Sequence, residues 1–439
     1  MTRFERLVRW ALCLGSEPDN HSRLLKSRGS SVVKEKSSGV KTTSDLYNAP
    51  PSCTAVSLLA QDDERGQIYT TTPPLPIELL DAVLLYSTSH DLCQVAKSNR
   101  TCLAVATRIL YREVELMNPV KTIRCITTLS KRSDIALNVR KFHVTDDLTN
   151  GLEVLPAYYK LLHKALCQMH NLISLCLLIG GPRSFVLTGC LFRLKSFTTA
   201  CHWDKPLVRW LESQDEITSA LFCGKFHHDA RISDRALPKL QRISASPLIL
   251  AAVVPSRPVE EAELCLIHPW LLNSDIISTT LRILTYSSAV VHTLQFITHL
   301  TGFPETTLSA LRAVPEHLPK LASLAIHIVR GSVTQDILDG LVSIFSLFKS
   351  LRSVMFLSKN ESDALHDEEL TDPLAVIWHN SCPSLEIVSF PNSIWVRNPK
   401  VGWVTLKELE RMLSERERDL EQKEKDRTER VEHWLTKIS

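Results

Sequence analysis

From about residue 118 to residue 403 one short pattern of apolar positions recurs, apolar-x-x-apolar-x-apolar. It reads Leu172, Leu175, Leu177; Ile217, Ala220, Phe222; and Leu240, Ile243, Ala245. Further on it reads Val291, Leu294, Phe296; Leu321, Leu324, Ile326; Leu351, Val354, Phe356; and Leu385, Val388, Phe390. A weaker copy starts at Leu194 with Phe197. Successive starts lie 22, 23, 23, 51, 30, 30 and 34 residues apart, and the 51-residue gap has room for another copy near Leu281 and Ile283. Residues at i and i+2 share one face of a strand, so each copy predicts a short strand with both side chains in the core. The residues between copies predict a returning helix. Turn residues lead into several strands, such as Pro319 before Leu321 and Pro383 before Leu385.

This recurrence resembles a leucine-rich repeat, in which each unit buries its apolar face only by stacking on its neighbours. The Asn that such repeats carry after the strand is missing, since Gly180, Val329 and Ser393 stand there. The repeats are therefore irregular, and the alternative is a non-repetitive α/β domain with buried strands. Strand positions expected to face outward are mixed, among them Ser323, Ala325, Ser353, Met355 and Ile387, and they do not converge on a catalytic set. Trp203, Trp210, His227 and His228 are candidates for ligand contact, with core tryptophans and surface histidines as the plainer reading.

Upstream, the pattern changes to helical spacing. Pro76 suits a first helical position, and Glu78 favours the positive end of the helix dipole. Leu79, Leu80, Val83 and Leu84 make an apolar stripe. Thr88 and Asp91 form a capping box opening a second helix through Leu92 and Val95. Ser98 or Asn99 caps a third, with Cys102, Val105, Ala106, Ile109 and Leu110 apolar. Three short helices cannot shield so much leucine alone, so they pack on the next domain or offer a face to a partner.

Leu75-Pro-x-Glu-Leu-Leu, then Val83-Leu84, Asp91-Leu92, Val95 and Leu110-Tyr111-Arg112-x-Val114 resemble an F-box. The ending is similar to F-box-like proteins expanded in mushroom-forming fungi. The resemblance covers residues 73–116. It implies docking on the Skp adaptor of a cullin-RING ubiquitin ligase through Leu75, Pro76, Leu79, Leu80, Val83, Leu92 and Val95. One position departs from the pattern. Cys102 stands where F-boxes usually place Trp or Phe, and losing an aromatic hot spot costs about 2 kcal/mol or more of docking energy.

The termini read differently. Residues 16–44 hold eight serines and six Lys/Arg against three Asp/Glu, too little apolar surface to offset their ordering entropy. Residues 1–72 are expected to form a disordered arm. Its first 15 residues interleave Arg3, Arg6 and Arg9 with apolar positions. A mitochondrial presequence is one reading of them, against which Glu5, Glu17 and Asp19 count. Residues 404–439 predict a charged helix, with 19 charged residues among 36. Its leucine heptad (Leu406, Leu409, Leu413, Leu420) fails after Leu420, too early for a coiled coil.

Composition narrows the function. The chain has 439 residues, a formal net charge of +3, 66 Leu and only 13 Gly. So little glycine leaves few sites for phosphate-cradling nests, and the common nucleotide, hydrolase and metalloprotease motifs are absent from the sequence. The near-neutral balance argues against nucleic acid, and no apolar run reaches the length of a membrane span. Twelve cysteines without a C-x-x-C pair read as a reduced, intracellular set, cytoplasmic or nuclear. Cys201-His202, Cys223 and His227-His228 are the one candidate zinc cluster, but adjacent Cys-His pairs turn poorly toward a single ion.

The fold expected is therefore α/β. Residues 1–72 form a disordered arm, 73–117 a three-helix F-box-like module, 118–403 an irregular leucine-rich-repeat-like solenoid and 404–439 a charged helix. The function expected is that of a non-catalytic substrate receptor of an SCF-type ligase, binding a target protein on the repeats and using no cofactor or metal. A repeat scaffold that binds proteins without ubiquitin transfer is the nearest alternative. A hydrolase or metal enzyme on an unrecognised α/β fold is the alternative from another class.

Overall fold

The computed structural model describes residues 76–145, 155–266, 274–300, 304–331, 333–358, 365 and 368–438. The expected N-terminal arm and Leu75 lie outside them. Three helices come first: α1 (Ile77–Leu84), α2 (Ser89–Val95) and α3 (Arg100–Arg112). Their starts follow local chemistry. Pro76 is the residue before α1 rather than its first helical one. The Thr88 hydroxyl accepts the Asp91 N–H and donates to the Asp91 carboxylate at 2.7 Å. Asn99 Oδ1 accepts the Cys102 N–H at 2.8 Å. Leu84, Leu92, Val105 and Ala106 form a small core of their own.

The chain then builds one α/β body. Its strands are β1 (Glu113–Leu116), β2 (Lys141–Thr145), β3 (Ser174–Gly181), β4 (Ser196–Cys201), β5 (Ser219–Phe222), β6 (Arg242–Ala245) and β7 (Glu261–Leu266). They continue as β8 (Thr293–Leu300), β9 (Ser323–Gly331), β10 (Ser353–Ser358), β11 (Ile387–Ser389), β12 (Ile394–Asn398) and β13 (Gly402–Thr405). All join one open sheet in chain order. Every pairing from β1 to β11 is parallel, and β12 and β13 close the far edge antiparallel. A parallel sheet whose order never reverses, with crossovers of one hand, places its connections on one face.

Those connections include α4 (Pro119–Lys131), α5 (Ser133–Ala136), α6 (Pro156–Leu166), α7 (Lys205–Leu211) and α8 (Pro247–Val253). Then come α9 (Ser274–Leu284), α10 (Pro304–His317), α11 (Gln335–Phe345) and α12 (Glu368–Ser381). The register lines up Phe142, Leu175, Phe197, Ala220, Ile243, Ala262, Leu294, Leu324, Val354 and Val388, all buried, toward these connections. One contiguous core results.

Each apolar triplet read from the sequence runs into a strand, including the weak copy at β4, and only Phe390 falls one residue past its strand, β11. The copy placed near Leu281 is corrected: Leu281 and Ile283 lie in α9, and the strand in that gap is β7, with Ala262 and Leu264 inward. The same pattern also sits at Val139, Phe142 and Val144 on β2. Between β5 and β6 no helix forms, and Ala230, Ile232, Ala236 and Leu237 bury themselves from an irregular crossover.

Polar side chains, Gln214 buried and Asp204 half-buried, tie neighbouring crossovers. Gln214 accepts the Leu194 N–H and donates to the Phe192 carbonyl, both at 3.2 Å. Asp204 caps α7 through the Leu207 N–H and accepts the Ser184 hydroxyl at 2.7 Å. The last helix, α13 (Leu406–Ile438), packs its start on β12 and β13 and leaves Leu413 and Leu420 exposed.

Candidate functional site

Two surfaces present chemistry. The first is α1. Pro76, Leu79 and Val83 recur at i, i+3 and i+7 and so share one side of the helix. All three are exposed, Leu79 at 54% and Val83 at 62% of their full surface, with Tyr86 at 93% just beyond. Leu80 and Val95 are half-buried against the small core, and Leu92 lies inside it. The predicted set thus divides into an exposed group, a supporting pair and a core residue. Cys102 is half-buried in the first turn of α3.

Between this module and the sheet lies a cleft of about 430 Å³ lined by Asp81, Arg108, Arg112, Glu113, Arg140 and Lys141 among others. Arg108 pairs with Asp81 at 2.6 Å, and Lys141 with Glu113 at 2.7 Å. Arg112 and Arg140 tip the balance positive.

The second surface is the sheet face opposite the core-facing row. Register places Thr198, Leu221, Ser244, Glu263 and Gln295 side by side on β4 to β8, around a shallow hollow of about 190 Å³. The Ser244 hydroxyl donates to Glu263 Oε1 at 2.5 Å and lies 3.6 Å from Cys265 Sγ. Gln295 Nε2 is buried and finds no hydrogen-bond partner among the described residues. Burial pushes the Glu263 carboxyl above its ordinary value, and the bond from Ser244 opposes that rise only in part. Burial also pushes the Cys265 thiol up to about 12, with the neighbouring Glu263 adding to the effect. A thiol held that high carries almost no thiolate at neutral pH, so it is a poor nucleophile. What this hollow can do is donate and accept hydrogen bonds. At its edge Arg242 faces Glu261 across the β6–β7 pairing, 4.0 Å away.

The aromatic candidates go to the core. Trp203 is fully buried and donates its Nε1–H to the Ala230 carbonyl at 3.0 Å; Trp210 packs between Phe192 and Phe197. The candidate zinc set does not assemble. His202 Nδ1 meets His227 Nε2 at 3.2 Å, whereas the Cys201 thiol lies buried in the core and is pushed up to about 12 by that burial. The structure gathers instead His163, Cys167 and Cys190. Sequence reading passed over these three. Their only local signal is His-x-x-x-Cys, a spacing of i and i+4 at the end of a helix.

No protein-family model matches this chain, and no curated protein matches it either.

Proposed function

We propose that this chain is a non-catalytic substrate receptor of an SCF-type cullin-RING ubiquitin ligase. In this reading α1 to α3 are an F-box-like module that docks the Skp adaptor. Residues 118–403 are an irregular leucine-rich-repeat-like solenoid whose helix-free sheet face holds a target protein. The observation that carries the reading is the exposure of Leu79 and Val83 on α1 beside a module that already has its own small core. Exposed leucine and valine on a helix with a satisfied core form an apolar patch suited to a partner. Pro76 extends that patch, while Leu80, Leu92 and Val95 hold the helices in place behind it. The ligase chemistry belongs to other subunits, and the receptor acts by raising the effective concentration of target lysines near the ubiquitin conjugate.

The test is co-purification of the full chain with a fungal Skp adaptor beside the double variant Leu79→Asp/Val83→Asp. Both positions are exposed, so the variant keeps its fold, and circular dichroism checks this. Retention of the adaptor by the wild type and its loss from the variant supports the reading. A folded wild type that retains no adaptor overturns it in favour of a repeat scaffold, the outcome to which the small Cys102 side chain points.

A further inference from the structure

We propose that His163, Cys167 and Cys190 form a zinc site with two thiolate ligands and one imidazole ligand. The three side chains come from two segments that the fold presses together. His163 sits in the last turn of α6 and Cys167 follows its end, one helical turn further on and on the same side. Cys190 comes from the loop after the short 3-10 turn Ser184–Leu187, which packs on α6. Gly189 takes a φ of +76°, a conformation L side chains rarely adopt, and this turn returns the chain so that Cys190 faces α6.

The donor atoms all lie within 4.8 Å of one another. Cys167 Sγ and Cys190 Sγ are 3.7 Å apart. Two thiolates bonded to zinc at about 2.3 Å with tetrahedral angles stand about 3.8 Å apart. Two thiols in simple contact reach a similar spacing, so the sulfur pair alone does not define the site. The histidine adds what a contact pair lacks. His163 Nδ1 lies 3.0 Å from the Val186 carbonyl oxygen. A carbonyl only accepts, so Nδ1 carries the proton and the neutral ring keeps its lone pair on Nε2. Metal-bound histidines are oriented by this same kind of bond on the far nitrogen. Cys167 Sγ lies 3.8 Å from both ring nitrogens, which leaves Nε2 within reach of an ion held by the sulfur pair.

The donor set, two sulfurs and one imidazole, suits zinc rather than a hard oxygen-seeking cation. His163 and Cys167 are half-buried, which gives an ion a way in, and Cys190 closes the site from below. Three protein ligands leave a fourth position for water. On binding, each thiol exchanges its proton for a bond to the metal, so two protons pass to solvent for each zinc bound. Because both thiols give up a proton on binding, affinity rises with pH.

The test uses the full chain, reduced and stripped with a chelator, then titrated with Co²⁺ and afterwards with Zn²⁺. One Co²⁺ per chain is expected, with a thiolate-to-metal charge-transfer band and the strong visible absorption of a tetrahedral site, and one equivalent of Zn²⁺ displaces it. Cys167→Ser and Cys190→Ser lower the affinity at least 100-fold and remove most of the charge-transfer band. His163→Gln keeps the band and weakens binding about 10- to 100-fold, on the scale of changes around metal ligands. Circular dichroism verifies the fold of each variant, and half-buried Cys167 remains informative if Cys190→Ser fails to fold. A folded wild type that gives no charge-transfer band overturns the proposal. So does binding that survives both cysteine substitutions but is lost in His202→Gln/His227→Gln.

Discussion

Arg257 donates its Nε–H to the backbone carbonyl of Ala236 at 2.9 Å, across two consecutive crossovers of the sheet. Its other nitrogens donate to Pro255 O at 2.8 Å and Ser233 O at 2.6 Å. The side chain is among the most buried in the protein. The crossover it holds is the one between β5 and β6 that forms no helix. That segment has no helical ladder to satisfy its carbonyls, and one guanidinium does part of the work instead.

Replacing Arg257 with Met should therefore destabilise the chain by about 3 kcal/mol or more, since several buried carbonyls lose their donor together. Arg257→Lys should recover little, because a single ammonium cannot reproduce the planar fork. Urea unfolding midpoints of the three proteins check this. Equal midpoints would mean that the crossover closes without the guanidinium.

Glu263 predicts a pH dependence. Its folded carboxyl is raised above the ordinary value of 4.5 by burial. The folded state then holds its proton at pH values where the unfolded chain has released it. That contribution is full below 4.5 and is lost as pH rises through the raised folded value. Glu263→Gln carries no such loss. Its stability should exceed that of the wild type at neutral pH, and the difference should vanish in acid. Denaturant titrations across pH read it directly, and two parallel curves would refute it.

Leu79 and Leu92 are both leucines of the predicted docking set, yet their substitution should differ. Leu92 is 3% exposed in the small helical core, so Leu92→Ala should destabilise the module by about 2–5 kcal/mol. Leu79 is 54% exposed, and Leu79→Ala should stay within about 0.5 kcal/mol. Hydrogen exchange of α1 to α3 in the full chain separates the two, because the module has its own core.

Gly224 is the position where a methyl group meets backbone. A Cβ there would collide with the Cys201 carbonyl oxygen and carbon, atoms that cannot rotate away. Gly224→Ala should push the end of β4 and the start of the β5–β6 crossover apart and lower the thermal midpoint clearly. Gly180→Ala, with open space around it, is the matched control.

The sequence by itself determined eight of the parallel strands, β3 to β6 and β8 to β11. Their apolar-x-apolar ends must both face inward, so the period-2 signal at Leu294/Phe296 or Val354/Phe356 reads the same before and after folding. The helix cap at Thr88 was legible for the same reason, since a cap is an interaction between near neighbours, and the third cap was narrowed to Ser98 or Asn99, of which the fold uses Asn99. Val139, Phe142 and Val144 carried the pattern in full, and the β7 copy carried it in smaller residues, Ala262 among them. Leu281 and Ile283 misled because apolar residues two apart also occur on an amphipathic helix.

Tertiary structure alone decided which leucines of the helical module face out, because Leu79 and Leu92 are chemically identical until α3 covers one of them. It decided that Trp203 and Trp210 fill the core. It also decided which cysteines meet a histidine. Cys167 and Cys190 stand 23 residues apart, and no local pattern links them. They meet because the segment after β3 packs on α6, a contact set by the burial of the whole core rather than by any run of neighbouring residues.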